Sequence, residues 1–363
     1  MKIEDKIFDR NVLLSKYFKK IELCTVSDFL SLNHIFERLD KILEDKYIIS
    51  YRDKLILKEE FLSFNQRELE FLENYLYSFL MKIQPTFPYE SIDTLDVDEI
   101  IKNIRNYKYE VKNNCFHNNI SSIGTLYLKH HFTNFYDCFN KNNTSPVESW
   151  RNKKQMRAVI RYRIGLNYTR ETFDFSLHQM VRGLSAYRKM VSFFKPVVAA
   201  QIYKYFLKDI KNPIVIDPCA GFGGRLLGFK SIYPEGKYIG IEPNKETYKN
   251  LVELSKNFTN IELHNCKLED YKGSKDCDIS FTSIPYFDWE NYNNDFFYKD
   301  LDEWNNTFIE SLLTFKNLIV NLPIELQEKI NIKHTELYYL LNNTSHFNKN
   351  KVDLKGEYIL KCF

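Results

Sequence analysis

The chain has 363 residues, 44% of them hydrophobic and 27% charged, which is enough for one large domain and a second, smaller region. A net charge of only +3 excludes overall basicity as a source of affinity for polyanions, so any such affinity depends on where Lys and Arg cluster. The sequence has no run of about 18 apolar residues and no basic segment leading into an apolar one at Met1, and its seven cysteines are scattered. The expectation is a cytoplasmic protein (host cytoplasm if viral) with free thiols and no membrane partner.

Residues 1 to about 84 read as helical. Thr25-Val26-Ser27-Asp28 has the form of a capping box ahead of Leu32, Ile35, Phe36, Leu39, Ile42 and Leu43, and Leu69, Leu72, Tyr75, Leu76, Phe79 and Leu80 repeat the three-and-four spacing. Pro85 and Pro88 end that run, and Asn140 to Pro146 is polar enough for a boundary. The division expected is a mainly helical region over 1–145, a connecting segment over 146–195 and a final domain over 196–363. Cys115, His117, His130, His131 and Cys138 are zinc-ligand types, but Cys-x-His is not a usual ligand spacing and no metal site is assigned.

From Arg151 to Lys195 there are eleven Lys or Arg against only Glu171 and Asp174. Arg151, Lys154, Arg157, Arg161 and Arg163 stand among Trp150, Tyr162, Tyr168 and Tyr187, a mixture suited to phosphates and exposed bases; a solvated helix face gives the same pattern.

After Pro196, strands and helices alternate: Ile214 to Ile216, Tyr238 to Ile241, Ile261 to His264, Asp278 to Phe281 and Leu318 to Val320, with a closing strand at Glu357 to Phe363. Such a series gives an α/β fold with a mostly parallel doubly wound sheet, whose ligands lie at the strand C-terminal ends. The first strand runs into Asp217-Pro218-Cys219-Ala220-Gly221-Phe222-Gly223-Gly224, and the second ends at Glu242, whose carboxylate can accept from both hydroxyls of a ribose. Leu226 occupies the third glycine position of the dinucleotide fingerprint, which favours a nucleoside with a charged amino-acid tail over a pyrophosphate ligand.

These two segments resemble the first and second motifs of class I S-adenosylmethionine-dependent methyltransferases, in particular the amino-methylating DNA methyltransferases. The resemblance implies a Rossmann-like domain with S-adenosyl-L-methionine as cofactor. It implies that the Gly221 to Gly223 turn packs against the methionine moiety, that Glu242 holds the ribose, that Glu269 or Asp270 meets adenine N6, and that Asp217, Pro218, Ala220 and Pro243 belong to the same cofactor site. Phe194, in Ser192-Phe193-Phe194-Lys195-Pro196, resembles the segment that packs against the methionine end.

Ser283-Ile284-Pro285-Tyr286 resembles the family's catalytic tetrapeptide Asp/Asn/Ser-Pro-Pro-Tyr/Phe/Trp, with Ile284 in place of the first proline. The lone pair of an exocyclic amine is delocalised into its ring, so the site has to favour the tetrahedral nitrogen that forms during transfer. Ser283 Oγ and the Ile284 carbonyl are the two acceptors expected to do so, and Tyr286 is the face for a flipped base, with Phe287 beside it. Isoleucine can supply the carbonyl but gives up the fixed φ of proline, which leaves open a weakened enzyme or a binding protein. Adenine N6 stands ahead of cytosine N4 as target and DNA ahead of RNA. Residues 1–190, with the basic stretch, are expected to clamp the duplex.

Overall fold

Strands form where the chain is short, β-branched and apolar on both faces, because such runs suit a sheet covered by helices on each side. The computed structural model of the protein describes residues 54–57, 65–89, 96–108, 111, 114–117, 121–140, 144–167, 172–174, 177–188, 191–285, 290–291, 298–327, 329–330, 332–341 and 357–362. Eight strands build its main sheet: β1 Cys115–His117, β2 Ile214–Asp217, β3 Lys237–Ile241, β4 Ile261–His264, β5 Ile279–Ser283, β6 Leu318–Pro323, β7 Glu336–Leu341 and β8 Glu357–Cys362. Their order is β1-β7-β8-β6-β5-β2-β3-β4. Neighbours from β4 through β6 are parallel, as are β1 and β7, while β8 runs antiparallel between β6 and β7. This is the Rossmann-like, mostly parallel doubly wound sheet expected from the sequence. The strand order reverses between β2 and β5, so the crevice at their C-terminal ends is the natural ligand position.

Alternation along each strand gives the two faces different work. Ile216, Ile239, Ile241, Ile284, Leu318, Val320 and Leu322 join Trp304, Phe308 and Leu312 in one buried cluster. On the opposite face Phe281 packs against Phe194 and Tyr203. Here the helices Pro196–Phe206 and Gly224–Ile232 meet through glycine: a Cβ on Gly224 would lie 1.8 Å from the Phe194 carbonyl oxygen, and one on Gly228 would lie 2.5 Å from that of Pro196. Two strands of the main sheet escaped the sequence reading, and so did Lys54–Leu57, which pairs antiparallel with Thr172–Asp174 inside the region expected to be helical. β1 is only three residues long, and β7 lies in the stretch between the two final segments that had been read as strands.

The chain divides into two compact units, 1–89 with 142–190 and 90–141 with 191–363. These bounds differ from the expected 145 and 195. Residues 96–140 belong with the main sheet because β1 hydrogen-bonds to β7, and because Asn134 donates to Thr247 Oγ1 (2.8 Å) and accepts from Asn250 (3.1 Å). The segment after 145 is not a connection but a set of helices, Pro146–Arg151, Lys153–Asn167 and Leu177–Arg188, in the same unit as Gln66–Ile83. That last helix spans the periodic run at Leu69 to Leu80 and starts at a capping box made by Asn65 and Glu68. The capping box expected at Thr25 to Asp28 and the apolar run to Leu43 lie outside the described residues. No helix among the described residues is long and apolar enough to cross a membrane.

In the smaller unit, Trp150 is fully buried and donates to the Gln84 carbonyl at 3.0 Å. Glu73, only 2% exposed, accepts from both Arg157 (3.4 Å) and Arg161. Replacing Glu73 by alanine removes the shared partner of Arg157, whose side chain is 29% exposed, and Arg161, and is expected to cost about 1–3 kcal/mol, whereas Arg161→Ala, at a side chain 61% exposed, is expected to cost under about 1 kcal/mol; urea unfolding of the two variants measures the difference. In the larger unit, Gly224→Ala has to displace backbone and is expected to cost about 1–3 kcal/mol in the same measurement.

Candidate active site

β2 ends in Asp217, and the chain turns at once. Ala220 N–H donates to the Ile241 carbonyl at 2.9 Å, so the loop is fastened to the end of β3. Gly221 and Gly223 then take φ values of +54° and +72°, the left-handed region that glycine enters at little cost. The two glycines do different jobs. A Cβ on Gly223 would meet Leu254 Cδ2 at 2.7 Å, so that position is closed by packing; a Cβ on Gly221 would meet nothing nearer than the Cys219 carbonyl at 3.7 Å. Gly221 thus leaves an open cradle at the C-terminal edge of the sheet.

The Asp217 carboxylate does not face that cradle. It is 0% exposed, and its Oδ2 accepts from Arg225 Nε at 2.8 Å and from the Tyr238 hydroxyl at 2.7 Å, while Oδ1 accepts from Cys219 N–H at 3.3 Å. Arg225 also donates to the Cys219 carbonyl and lies 5.3 Å from the centre of the Phe194 ring. Burial works against the charge on Arg225, but Asp217 more than offsets it and holds the guanidinium pKa above its usual value. Asp217 and Phe194, both expected to line the ligand, are therefore bound together through Arg225, and Asp217 shapes the loop from within. Pro218 and Ala220 are buried in the same turn, and Pro243 is half-buried beside Glu242.

Glu242 follows β3 and links two loops. Its Oε2 accepts from Gly221 N–H at 2.9 Å and its Oε1 from Asn244 N–H at 2.8 Å. Burial pushes its pKa up to about 7, against the pull of the Asn244 and Gly221 amides. One strand further, Glu269 and Asp270 lie in the short turn Leu268–Asp270 after β4. Asp270 is exposed; Glu269 is half-buried and accepts from the Tyr298 hydroxyl at 3.1 Å. Tyr298 carried no signal in the sequence.

Ser283 closes β5 and is half-buried, while Pro285 follows in the same state. Ile284 is 2% exposed, packed in the cluster with Trp304 and Phe308. Its N–H lies 3.4 Å from the Asn321 carbonyl on β6, a hydrogen bond that proline could not make. Tyr286 and Phe287 lie outside the described residues. Just beyond them, Glu290–Asn291 pairs antiparallel with Phe139–Asn140.

Of the residues expected at a nucleic-acid surface, Arg151 and Lys154 are exposed. The other three have a different setting. Arg163 is buried, and Arg157 and Arg161 are engaged by Glu73, so the positive charge of this helix is partly consumed inside its own unit. Trp150 is core, and Tyr168 lies outside the described residues. Among the described residues no three His, Cys, Asp or Glu gather as a metal site; Cys115 is buried on β1.

No protein-family model and no curated protein matches this chain. Among solved structures it is similar to the putative methyltransferase yhhF from Escherichia coli (14% identity, TM-score 0.30, 46% of this chain and 87% of that one). It is also similar to TrmN from Thermus thermophilus (12%, 0.33, 46% of this chain and 49% of that one). A third is a putative RNA methyltransferase from Pyrococcus horikoshii (14%, 0.30, 46% and 83%). The chain thus spans about half the length of TrmN. Likeness at these TM-scores adds nothing to the strand order itself.

The raised pKa of Glu242 has a sign that can be checked. Between the unfolded value of 4.5 and about 7 the folded chain binds more protons at this group, so stability is greatest below 4.5 and falls as pH rises through 7. Urea unfolding from pH 4.5 to 8 is expected to show wild type losing stability relative to Glu242→Gln over that window. A constant difference between the two would contradict the assignment.

Proposed function

We propose that the chain transfers a methyl group from S-adenosyl-L-methionine to an exocyclic amine of a base in DNA, adenine N6 ahead of cytosine N4. The observation that carries the reading is the convergence, at one end of the sheet, of an open glycine cradle at Gly221, the buried carboxyl of Glu242 and the strand end at Ser283. The residues present fit the cofactor. The cradle is a space that a side chain would fill, and Glu269 has one buried carboxyl oxygen, Oε2, with no hydrogen-bond partner among the described residues.

When bound, the cofactor supplies a methyl group on a positively charged sulfur. Glu242 accepts from the ribose hydroxyls, the Gly221–Gly223 turn and Phe194 flank the methionine part, and Glu269 accepts from the adenine amine. Asp217 acts indirectly, by fixing the loop through Arg225. On the substrate side, Ser283 Oγ and the Ile284 carbonyl accept from the target amine and favour its tetrahedral form, and Tyr286 stacks on the extruded base. Pro285 stiffens the chain between them. Exposed Arg151 and Lys154 are the residues of the smaller unit assigned to phosphates, with Phe287 next to the base.

The anchoring of Ile284 by packing and by its N–H favours turnover over a binding protein that has lost catalysis, since the carbonyl is held without proline. The test is purified protein with methyl-labelled cofactor and matched DNA and RNA, followed by nucleoside analysis. Labelled N6-methyldeoxyadenosine is expected, and Ser283→Ala is expected to lower turnover by about 10²–10³ with cofactor affinity unchanged. Label in RNA alone moves the substrate to RNA; cofactor binding with label in neither overturns the transfer.

A further inference from the structure

Glu269 is an acceptor with one oxygen committed and one idle. Oε1 takes the Tyr298 hydroxyl at 3.1 Å; Oε2 is buried and has no partner among the described residues. Buried acceptors are nearly always satisfied, so an idle one marks a position awaiting a donor.

The identity of that donor is constrained by place. Glu269 follows β4, adjacent to β3 and its terminal Glu242, and Glu242 N–H donates to the His264 carbonyl at the end of β4 at 3.0 Å. Cys219 of the glycine loop and Tyr298 both pack against the same buried cluster. The loop, Glu242 and Glu269 thus follow the C-terminal ends of β2, β3 and β4, which are neighbours in the sheet. A ligand with its ribose at Glu242 carries its base toward the neighbouring strand end.

Which oxygen is idle is decided by Tyr298. Its ring is packed against Phe308 (6.3 Å between centroids) at the margin of the buried cluster, so the hydroxyl is delivered from a fixed side. Burial, and then the charge of Glu269, raise its pKa, so it stays protonated and can only give its hydrogen to Oε1. The hydrogen bond engages Oε1 and leaves Oε2 as the oxygen open to a donor.

We infer that Tyr298 is a positioning residue for nucleoside selectivity: by occupying Oε1 it presents Oε2 of Glu269 as a single fixed acceptor, which takes the exocyclic amine of a 6-aminopurine and repels the carbonyl oxygen of a 6-oxopurine. The inference rests on the nucleoside-cofactor reading above. It adds a residue outside every motif in the sequence and a stated preference, adenosine-type over inosine-type ligands.

The experiment measures calorimetric affinities of the full chain for S-adenosylhomocysteine and S-inosylhomocysteine. Wild type is expected to prefer the first by at least about tenfold. Tyr298→Phe keeps the ring and its packing; it is expected to weaken S-adenosylhomocysteine about tenfold and to leave S-inosylhomocysteine unchanged. Glu269→Gln, whose amide can turn either its oxygen or its nitrogen toward the base, is expected to erase the preference. Melting temperatures of the variants identify any that fail to fold, and the two substitutions act on the same ratio independently. A wild-type ratio in Tyr298→Phe, or equal weakening of both ligands, overturns the inference while leaving the cofactor reading intact. Wild type that binds S-adenosylhomocysteine without preference does the same. Wild type that binds neither ligand overturns both.

Discussion

The buried ion pair between Asp217 and Arg225 is the constraint on which the rest of the site depends. Both groups are withdrawn from water, and desolvating two charges is expensive enough that such a pair is kept only where its hydrogen bonds are complete. Here they are. Asp217 is matched by Arg225, by the Tyr238 hydroxyl and by Cys219 N–H, and Arg225 reaches on to the Cys219 carbonyl and the Phe194 ring. One pair thus ties β2, the glycine loop, the helix Gly224–Ile232, β3 and the segment before Pro196. Removing either partner leaves an uncompensated charge in the interior, which is why loop shape and fold stability cannot be separated at this point.

That internal neutralisation changes which charges a ligand meets. Asp217 leads the loop in sequence, yet its charge is spent below the loop, and the carboxyls that remain at the crevice are Glu242 and Glu269. Each is partly engaged. Glu242 holds two backbone amides, so its orientation is set in advance; Glu269 is held on one side by Tyr298. Pre-set acceptors lose little conformational freedom when a donor arrives, which is the physical meaning of preorganisation. The pKa of about 7 at Glu242 is the cost of burying such an acceptor near a second acid, Asp217.

The sheet was largely legible in the sequence because its central strands are apolar runs with no competing helical period, and β2, β3, β4, β5, β6 and β8 all fall where they were expected. β1 was not, since Cys115-Phe116-His117 is too short to show a period and gains its strand from pairing with β7. The glycine loop was legible because positive φ demands glycine. The partners of its acid were not: Arg225 is one more basic residue in a helix until its burial is known, and Tyr298 lies far along the chain from Glu269. The setting of the basic stretch was hidden for the same reason. Composition counts Arg157, Arg161 and Arg163 as free charge, whereas Glu73, some eighty residues away, engages two of them and the third is buried.

The exchange of proline for Ile284 illustrates how packing can replace covalent rigidity. A proline would fix φ through its ring and forfeit its N–H. Isoleucine keeps the N–H, spends it on the Asn321 carbonyl of β6, and buries a branched side chain beside Trp304 and Phe308. Both devices restrain the same peptide unit, but the second does so only while β6 and the 301–312 segment are in place. The position of the Ile284 carbonyl is therefore coupled to the core on that face of the sheet. A cavity opened at Phe308 should be felt at the strand end that follows Ser283, because the side chain that steadies the turn has lost the surface it leans on.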